Sequence, residues 1–404
     1  MDQAKDATVS FLNQKKGKSR GLPNFSTDNI ENIQTLENEN DQPIIYVLNL
    51  KNNSGFVIMS ASLSERPILA YSNKGTFELD GIDKLDGVFD WLALRYFRIN
   101  SMIENGTLPT AEINNQWALI APSLNLYFVD NDGNPIHYTP IAIVNEITTY
   151  EVYGPFLTTR WDQRLSNIPS YPHIRYNNFV RHKNCSDSLV TPAGCVAVAM
   201  GQIMKYYNHP NIYNINSMPN VVNNLNWNTN EAKNIARLMK DIGEKVNMNY
   251  SCNSSGASSQ TARNAFVNNY SYNASNLSPI NKSVLIQNLK TLKPVYLRGC
   301  REKKIVCTPK KVIGKWTIGK TKYAYTQCHA WVADGCEEIN ITREFEDGST
   351  YTSTMTNYIS MNWGWGGSDN GFYHYLTIDD SVWGNIAHID FIYEQKMIAN
   401  IIPN

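Results

Sequence analysis

Apolar residues follow a helical period at a few places in the chain and a strand-like pattern at many more. Residues 5–16 read as a short helix, and the polar, Asn-rich stretch from Lys16 to Asp41 reads as loop. Ile44–Leu50 and Gly55–Met59 are apolar runs flanking Lys51-Asn52-Asn53-Ser54, a pattern that predicts a hairpin. Across residues 85–103, Val88, Leu92, Tyr96, Ile99 and Ile103 recur at helical spacing. Further apolar runs at 124–129 and 136–144 flank Asp130–Pro135. That insert superficially resembles a calcium loop, but its Gly comes too early and the closing Glu is missing, so it reads as a Gly-bearing turn. This first region predicts a small α+β unit.

A second pattern starts near Tyr153-Gly154-Pro155. From Cys195 through Gln202, Met204 and Tyr206 to His209-Pro210, the residues predict a helix apolar on most faces and therefore buried centrally. After Asn228-Thr229 as a cap, Ile235, Leu238, Ile242 and Val246 mark an amphipathic helix. Thr261–Tyr270 reads as a third, following a Ser/Gly-rich segment at 254–259. From Val295 onward the pattern is strand and turn, at 295–298, 313–325, 329–334, 357–363 and 371–377. Helices first and strands second predict an α+β domain with a helical part packed on an antiparallel sheet.

At 404 residues the chain exceeds one ordinary core, which argues for two domains. Lys+Arg and Asp+Glu both number 36, so the balance carries no footprint for nucleic acid or an anionic membrane. No apolar run is long enough for a transmembrane helix. Seven cysteines are present, and Cys300 and Cys307 bracket a short basic loop and could close a hairpin. No Cys-x-x-Cys or His-x-x-x-His pair accompanies them, so neither a metal site nor a cofactor is expected.

The chemistry centres on Cys195. It follows Thr191-Pro192-Ala193-Gly194 and opens the buried helix, where the first N–H groups and the helix dipole favour a thiolate. A cysteine in an apolar run is just as commonly a small buried hydrophobe, so the assignment needs a base. Gln327-Cys328-His329-Ala330-Trp331-Val332-Ala333-Asp334-Gly335 supplies one on a predicted strand. Strand neighbours alternate faces, which turns Cys328 away from Cys195. Downstream, Tyr358–Met361 leads into Asn362-Trp363-Gly364-Trp365-Gly366-Gly367. Cys, then His, then Asn-Trp is the chain order of papain-like peptidases.

Gly194-Cys195-Val196-Ala197 with Gln202–Tyr206, then His329-Ala330, then Asn362–Gly367 resembles the streptopain family of secreted bacterial cysteine peptidases. Gly55–Ser60 and Pro67–Ser72 resemble that family's inhibitory prosegment, and Met397–Pro403 its last strand. The resemblance implies a proenzyme: an inhibitory α+β prodomain at 1–147 ahead of a papain-like domain at 148–404, with the junction at 145–152. It implies Cys195 as nucleophile, His329 as general base and acid, and Gln163 as an oxyanion-hole donor. Asn362 or Trp363 would orient His329. Protein or peptide substrates, the prodomain as inhibitor in cis, and a secreted, cell-surface or periplasmic location are further expectations. Met1–Ala7 carries no charged-then-apolar signal, so export implies one already removed. Two alternatives are a catalytically silent papain-like binding or adhesion module, and amide transfer of transglutaminase type. No catalytic residue is lost, and Asn362-Trp363 stands where the latter class places an Asp.

Overall fold

In this computed structural model the described residues are 2–16, 24–79, 86–121, 143–163, 176, 179, 191–223, 225–252, 254–307, 311–313, 316–318, 322–345, 348, 350–374 and 393–404. The first region begins with α1 (Asp2–Lys16), followed by strands β1 (Ile30–Glu37), β2 (Pro43–Leu50), β3 (Phe56–Ser60) and β4 (Ile68–Ser72). Helices α2 (Asp86–Glu104) and α3 (Ala111–Ile120) complete it, and β5 (Ile143–Tyr153) leads out. The predicted hairpin is β2–β3, with Val47 opposite Ile58. The stretch read as loop contains β1, which is a correction. Ile33 and Leu36 pack inward while β2 satisfies the backbone, so this edge strand needs little apolar sequence. Helix α3 lies outside the sequence expectation, and the Asp130–Pro135 insert lies outside the described residues.

The second region contributes α4 (Cys195–Tyr207), α5 (Asn230–Lys245), the short pair β6 (Asn249–Tyr250) and β7 (Ser255–Gly256), and α6 (Ser259–Asn268). Next come β8 (Tyr272–Asn273), β9 (Ser278–Pro279), α7 (Lys282–Lys290) and β10 (Val295–Cys307). The small pair β11 (Lys311–Ile313) and β12 (Trp316–Ile318) precedes the long β13 (Lys322–Phe345) and β14 (Thr350–Asn362). Strands β15 (Gly371–His374), β16 (Tyr393–Ile398) and β17 (Ile402–Pro403) close the chain. Helix caps follow the sequence: the side chains of Thr229, Ser258 and Asn281 accept from the first-turn N–H groups of α5, α6 and α7.

One antiparallel sheet runs through both regions, in the order β1-β2-β3-β4-β15-β14-β13-β10-β16-β9, with β5 on the far part of β13. Tyr71 pairs with Phe372 and Ala70 with Tyr373, so β4 of the first region continues the sheet of the second. Helix α4 packs on β13, within a core that includes Met200, Ile203, Tyr296, Ala330 and Val332. The opposite face buries Leu297, Trp331, Met361 and Trp363 together with Phe56, Phe77 and Leu92 of the first region.

The seam between regions is also polar. Lys15 of α1 forms an ion pair with Glu337 of β13, their side chains 11 % and 0 % exposed. Burial lowers the Lys15 pKa and Glu337 opposes that shift. The ammonium lies 4.2 Å from the Tyr71 ring centre, and Tyr71 stacks on Phe372 at 5.2 Å. Fully buried Arg95 donates to the His374 carbonyl at 2.7 Å. Removing one partner leaves the other charge buried and unpaired. Lys15→Ala should therefore cost about 3 kcal/mol in urea unfolding of the full chain. An unchanged midpoint would show that this pair does not hold the two regions together.

Candidate active site

Gly194 sets the nucleophile's position. Its φ of +88° suits glycine, and a Cβ there would lie 2.8 Å from the Met248 sulfur and 3.0 Å from the Ser255 carbonyl. Cys195 is then the first residue of α4, half-buried, with a thiol outside any disulfide.

His329 stands on β13 opposite Gly299 and is 3 % exposed. Its Nε2 lies 3.0 Å from the carbonyl oxygen of Trp363. A carbonyl can only accept, so Nε2 carries the proton and Nδ1 the lone pair a base requires. The ring stacks on Trp365 at 5.2 Å and on Trp331 at 6.0 Å. Burial under these rings pulls the imidazole pKa down to about 4, against the raising effect of the Trp363 bond.

Asn362 is also buried but is engaged elsewhere. Its Oδ1 accepts from Gln202 Nε2 at 3.1 Å and from the Gly364 N–H at 3.2 Å, while its Nδ2 donates to the Thr159 carbonyl at 2.9 Å. The contact to His329 comes from the backbone of Trp363, a role no side-chain pattern could reveal. Gln163 lies on the segment that crosses from the first region. There the Trp161 N–H donates to Gln202 Oε1 at 3.3 Å, and the Trp161 carbonyl accepts from Gly366 N–H at 3.1 Å. Asp162 forms a bridge with Trp365. The Gln163 carbonyl accepts from the Ala193 N–H at 3.2 Å, two residues before Cys195. The half-buried Gln163 thus sits between the cysteine loop and the Trp365 turn.

One expectation about cysteines is overturned. Cys300 pairs with Cys328, not Cys307, because the β10–β13 register puts Cys300 directly opposite Cys328.

Sequence reasoning passed over Gln202 and Asp334. Gln202 is the polar exception among the buried residues Val196–Met204 of α4, and that exception was the available signal. Asp334 is fully buried. Its carboxylate accepts from Ser360 Oγ at 2.7 Å and from the Leu157 N–H at 3.3 Å, anchoring the start of the crossing segment. Burial pushes its pKa up to about 7 despite those bonds. Among the described residues, no group of three or more His, Cys, Asp or Glu is placed to hold a metal ion. No described helix is long and apolar enough to cross a membrane.

The buried imidazole carries a stability consequence. Its folded pKa of about 4 lies below the ordinary 6.5, so the unfolded chain binds the extra proton between these values. The His329 contribution is complete above pH 6.5 and is lost as pH falls toward 4. It amounts to at most about 3 kcal/mol. His329→Gln should therefore lose less stability than the parent protein between pH 6.5 and pH 4. Parallel urea titrations with identical losses would contradict the buried neutral imidazole.

The chain is similar to several known proteins. The family model described as peptidase C10 matches residues 172–214 and 211–373, together half of the chain. A Spi protease inhibitor model matches residues 1–95. Streptopain of Streptococcus pyogenes serotype M28 is 25 % identical over 422 residues, covering 95 % of this chain and 86 % of that protein. The thiol protease/hemagglutinin PrtT of Porphyromonas gingivalis is 23 % identical over 90 % of this chain, which spans 38 % of that protein. In fold, the chain is similar to a prointerpain A fragment of Prevotella intermedia. The TM-score is 0.52 and the identity 18 %, over 92 % of this chain and 99 % of the fragment. A cysteine at a helix start, a buried histidine and an inhibitor-type first region therefore have one explanation: the chain belongs to the peptidase C10 family and is a cysteine protease zymogen.

Proposed function

We propose that the zymogen hydrolyses protein or peptide substrates through an acyl-enzyme on Cys195, and that residues 1–147 suppress this activity in cis. The observation that carries the catalytic reading is the Nε2–Trp363 carbonyl bond, because it sets the tautomer in which His329 can act as a base. His329 Nδ1 takes the Cys195 thiol proton, and the sulfur attacks the scissile carbonyl. The tetrahedral oxyanion is met by the Gln163 amide and the Cys195 N–H. Collapse of that intermediate breaks the C–N bond, and the imidazolium returns its proton to the leaving amine. Water, deprotonated by His329, then cleaves the thioester and releases the acid product with the restored thiol. Trp365 and Trp363 cover the imidazole and keep bulk water from competing for its protons.

The inhibitory role rests on the shared sheet and core. Trp91 of α2 meets Tyr373 edge-on at 4.8 Å, and Tyr373 meets Trp363 at 5.4 Å. The first region is thereby packed behind the turn that holds His329. The proposed junction at 145–152 lies within β5, a strand bound to β13 from Ile143 to Tyr153 with Ile147 and Val152 exposed. Cutting there requires local opening of that ladder. We further propose that the enzyme works outside the cell or on its surface, as its resemblance to streptopain implies.

Three outcomes are expected. Cys195→Ala and His329→Ala should each abolish casein hydrolysis with an intact fold, and their losses should not add. Gln163→Ala should lower turnover roughly a hundredfold with KM little changed. The full chain should be almost inactive until cut near residues 145–152, and residues 1–147 added back should inhibit saturably. Equal rates for the intact and the cut chain, with no processing on a gel, would overturn the cis-inhibitor assignment.

A further inference from the structure

We infer that Gln202 is a positioning residue of this active site, acting through the Trp161–Gln163 segment and the Asn362–Gly364 turn. The inference rests on the assignment of Cys195 and His329 above. Gln202 follows Cys195 by seven residues on α4, so it lies on the same helix face, about 10 Å along the axis. Val198, between them on that face, is the side chain a Cβ at Gly364 would meet, at 3.0 Å. The face that presents the nucleophile is therefore also the face against which the base-holding turn is seated.

Gln202 is 0 % exposed and spends both ends of its amide on the two loops the reaction needs. Oε1 accepts from the Trp161 N–H at 3.3 Å, two residues before the oxyanion candidate Gln163. Nε2 donates to Asn362 Oδ1 at 3.1 Å, and that same oxygen receives the Gly364 N–H at 3.2 Å. Residues 362 and 364 flank Trp363, whose carbonyl holds His329. Asn362 completes the circuit by donating to the Thr159 carbonyl at 2.9 Å, on the same crossing segment. One side chain of the nucleophile's own helix thus sets the spacing of the oxyanion segment and the base-orienting carbonyl relative to the sulfur. A hydrophobic residue of equal size would fill the space but leave the Trp161 N–H and the Asn362 oxygen to find other partners. Gln202 touches no reacting atom, so its effect is on geometry, and geometry at this site enters turnover rather than substrate affinity.

The test uses full-chain variants processed with the same added protease. Gln202→Leu should lower kcat roughly 10- to 100-fold with KM within about twofold and a cooperative melt retained. In a Gln163→Ala background the same substitution should cost less, because one of the two groups it positions is already gone. If Gln202→Leu does not melt cooperatively, kcat is read from Gln202→Glu, which keeps the acceptor for Trp161 and loses the donor to Asn362, so its loss should be of similar size with or without Gln163→Ala. Wild-type kcat in the variant, or Gln202→Leu losses that multiply fully with Gln163→Ala, would overturn the inference. Cys195→Ala is run alongside. Activity surviving there sinks the nucleophile assignment itself, whereas a silent Cys195→Ala beside a fully active Gln202 variant sinks only the positioning role.

Discussion

A thiol on a helix end and an imidazole on a strand can act together only if helix and sheet are held at one spacing. Apolar packing between α4 and β13 brings the two together but tolerates small slides, since dispersion contacts are non-directional. The Gln202–Asn362 amide pair does not tolerate them. Both side chains are almost wholly buried, and a buried amide displaced from its partner loses a hydrogen bond that no water replaces. Through this pair the helix, the crossing segment and the Trp363 turn share one register. The histidine tautomer and the place of Gln163 both depend on it.

The inhibitor region draws on the same frame. Its β4 extends the catalytic sheet at β15, and its apolar residues enter the core that contains Trp363. At the seam, buried charges have partners: Lys15 pairs with Glu337 beside stacked aromatic rings, and Arg95 donates to the neutral His374 carbonyl. Such pairs add specificity of docking more than net stability, because desolvation offsets much of their attraction. The zymogen is thus one folded body with a continuous sheet. Release of the first region would expose an edge strand and an aromatic surface next to the catalytic turn.

Much of the site was legible because its chemistry depends on local pattern. The Pro/Gly loop before an apolar run marked Cys195 as a helix start, and the strand carrying His329 had an apolar run of its own. The β2–β3 hairpin and helices α2, α4, α5 and α6 were readable from period and caps for the same reason. By contrast, β1 was hidden because an edge strand with few apolar residues, divided between its two faces, looks like polar loop. Gln202 carries no role in the sequence pattern, since nothing in a helical period says that a buried polar residue has found partners.

The sequence by itself determined the candidate groups and their local supports: a cysteine that opens a buried helix, a histidine on a strand, an Asn-Trp-Gly turn and an inhibitor-like first region. Tertiary structure alone decided which groups meet. It joined Cys328 to Cys300, gave the imidazole a backbone carbonyl as its partner, and turned Asn362 toward Gln202. It also ran β4 onto β15 and β5 onto β13. The physical reason is that periodicity reports which face of an element is buried, while strand register and backbone hydrogen bonds between distant segments are set only when the whole sheet and its helices pack at once.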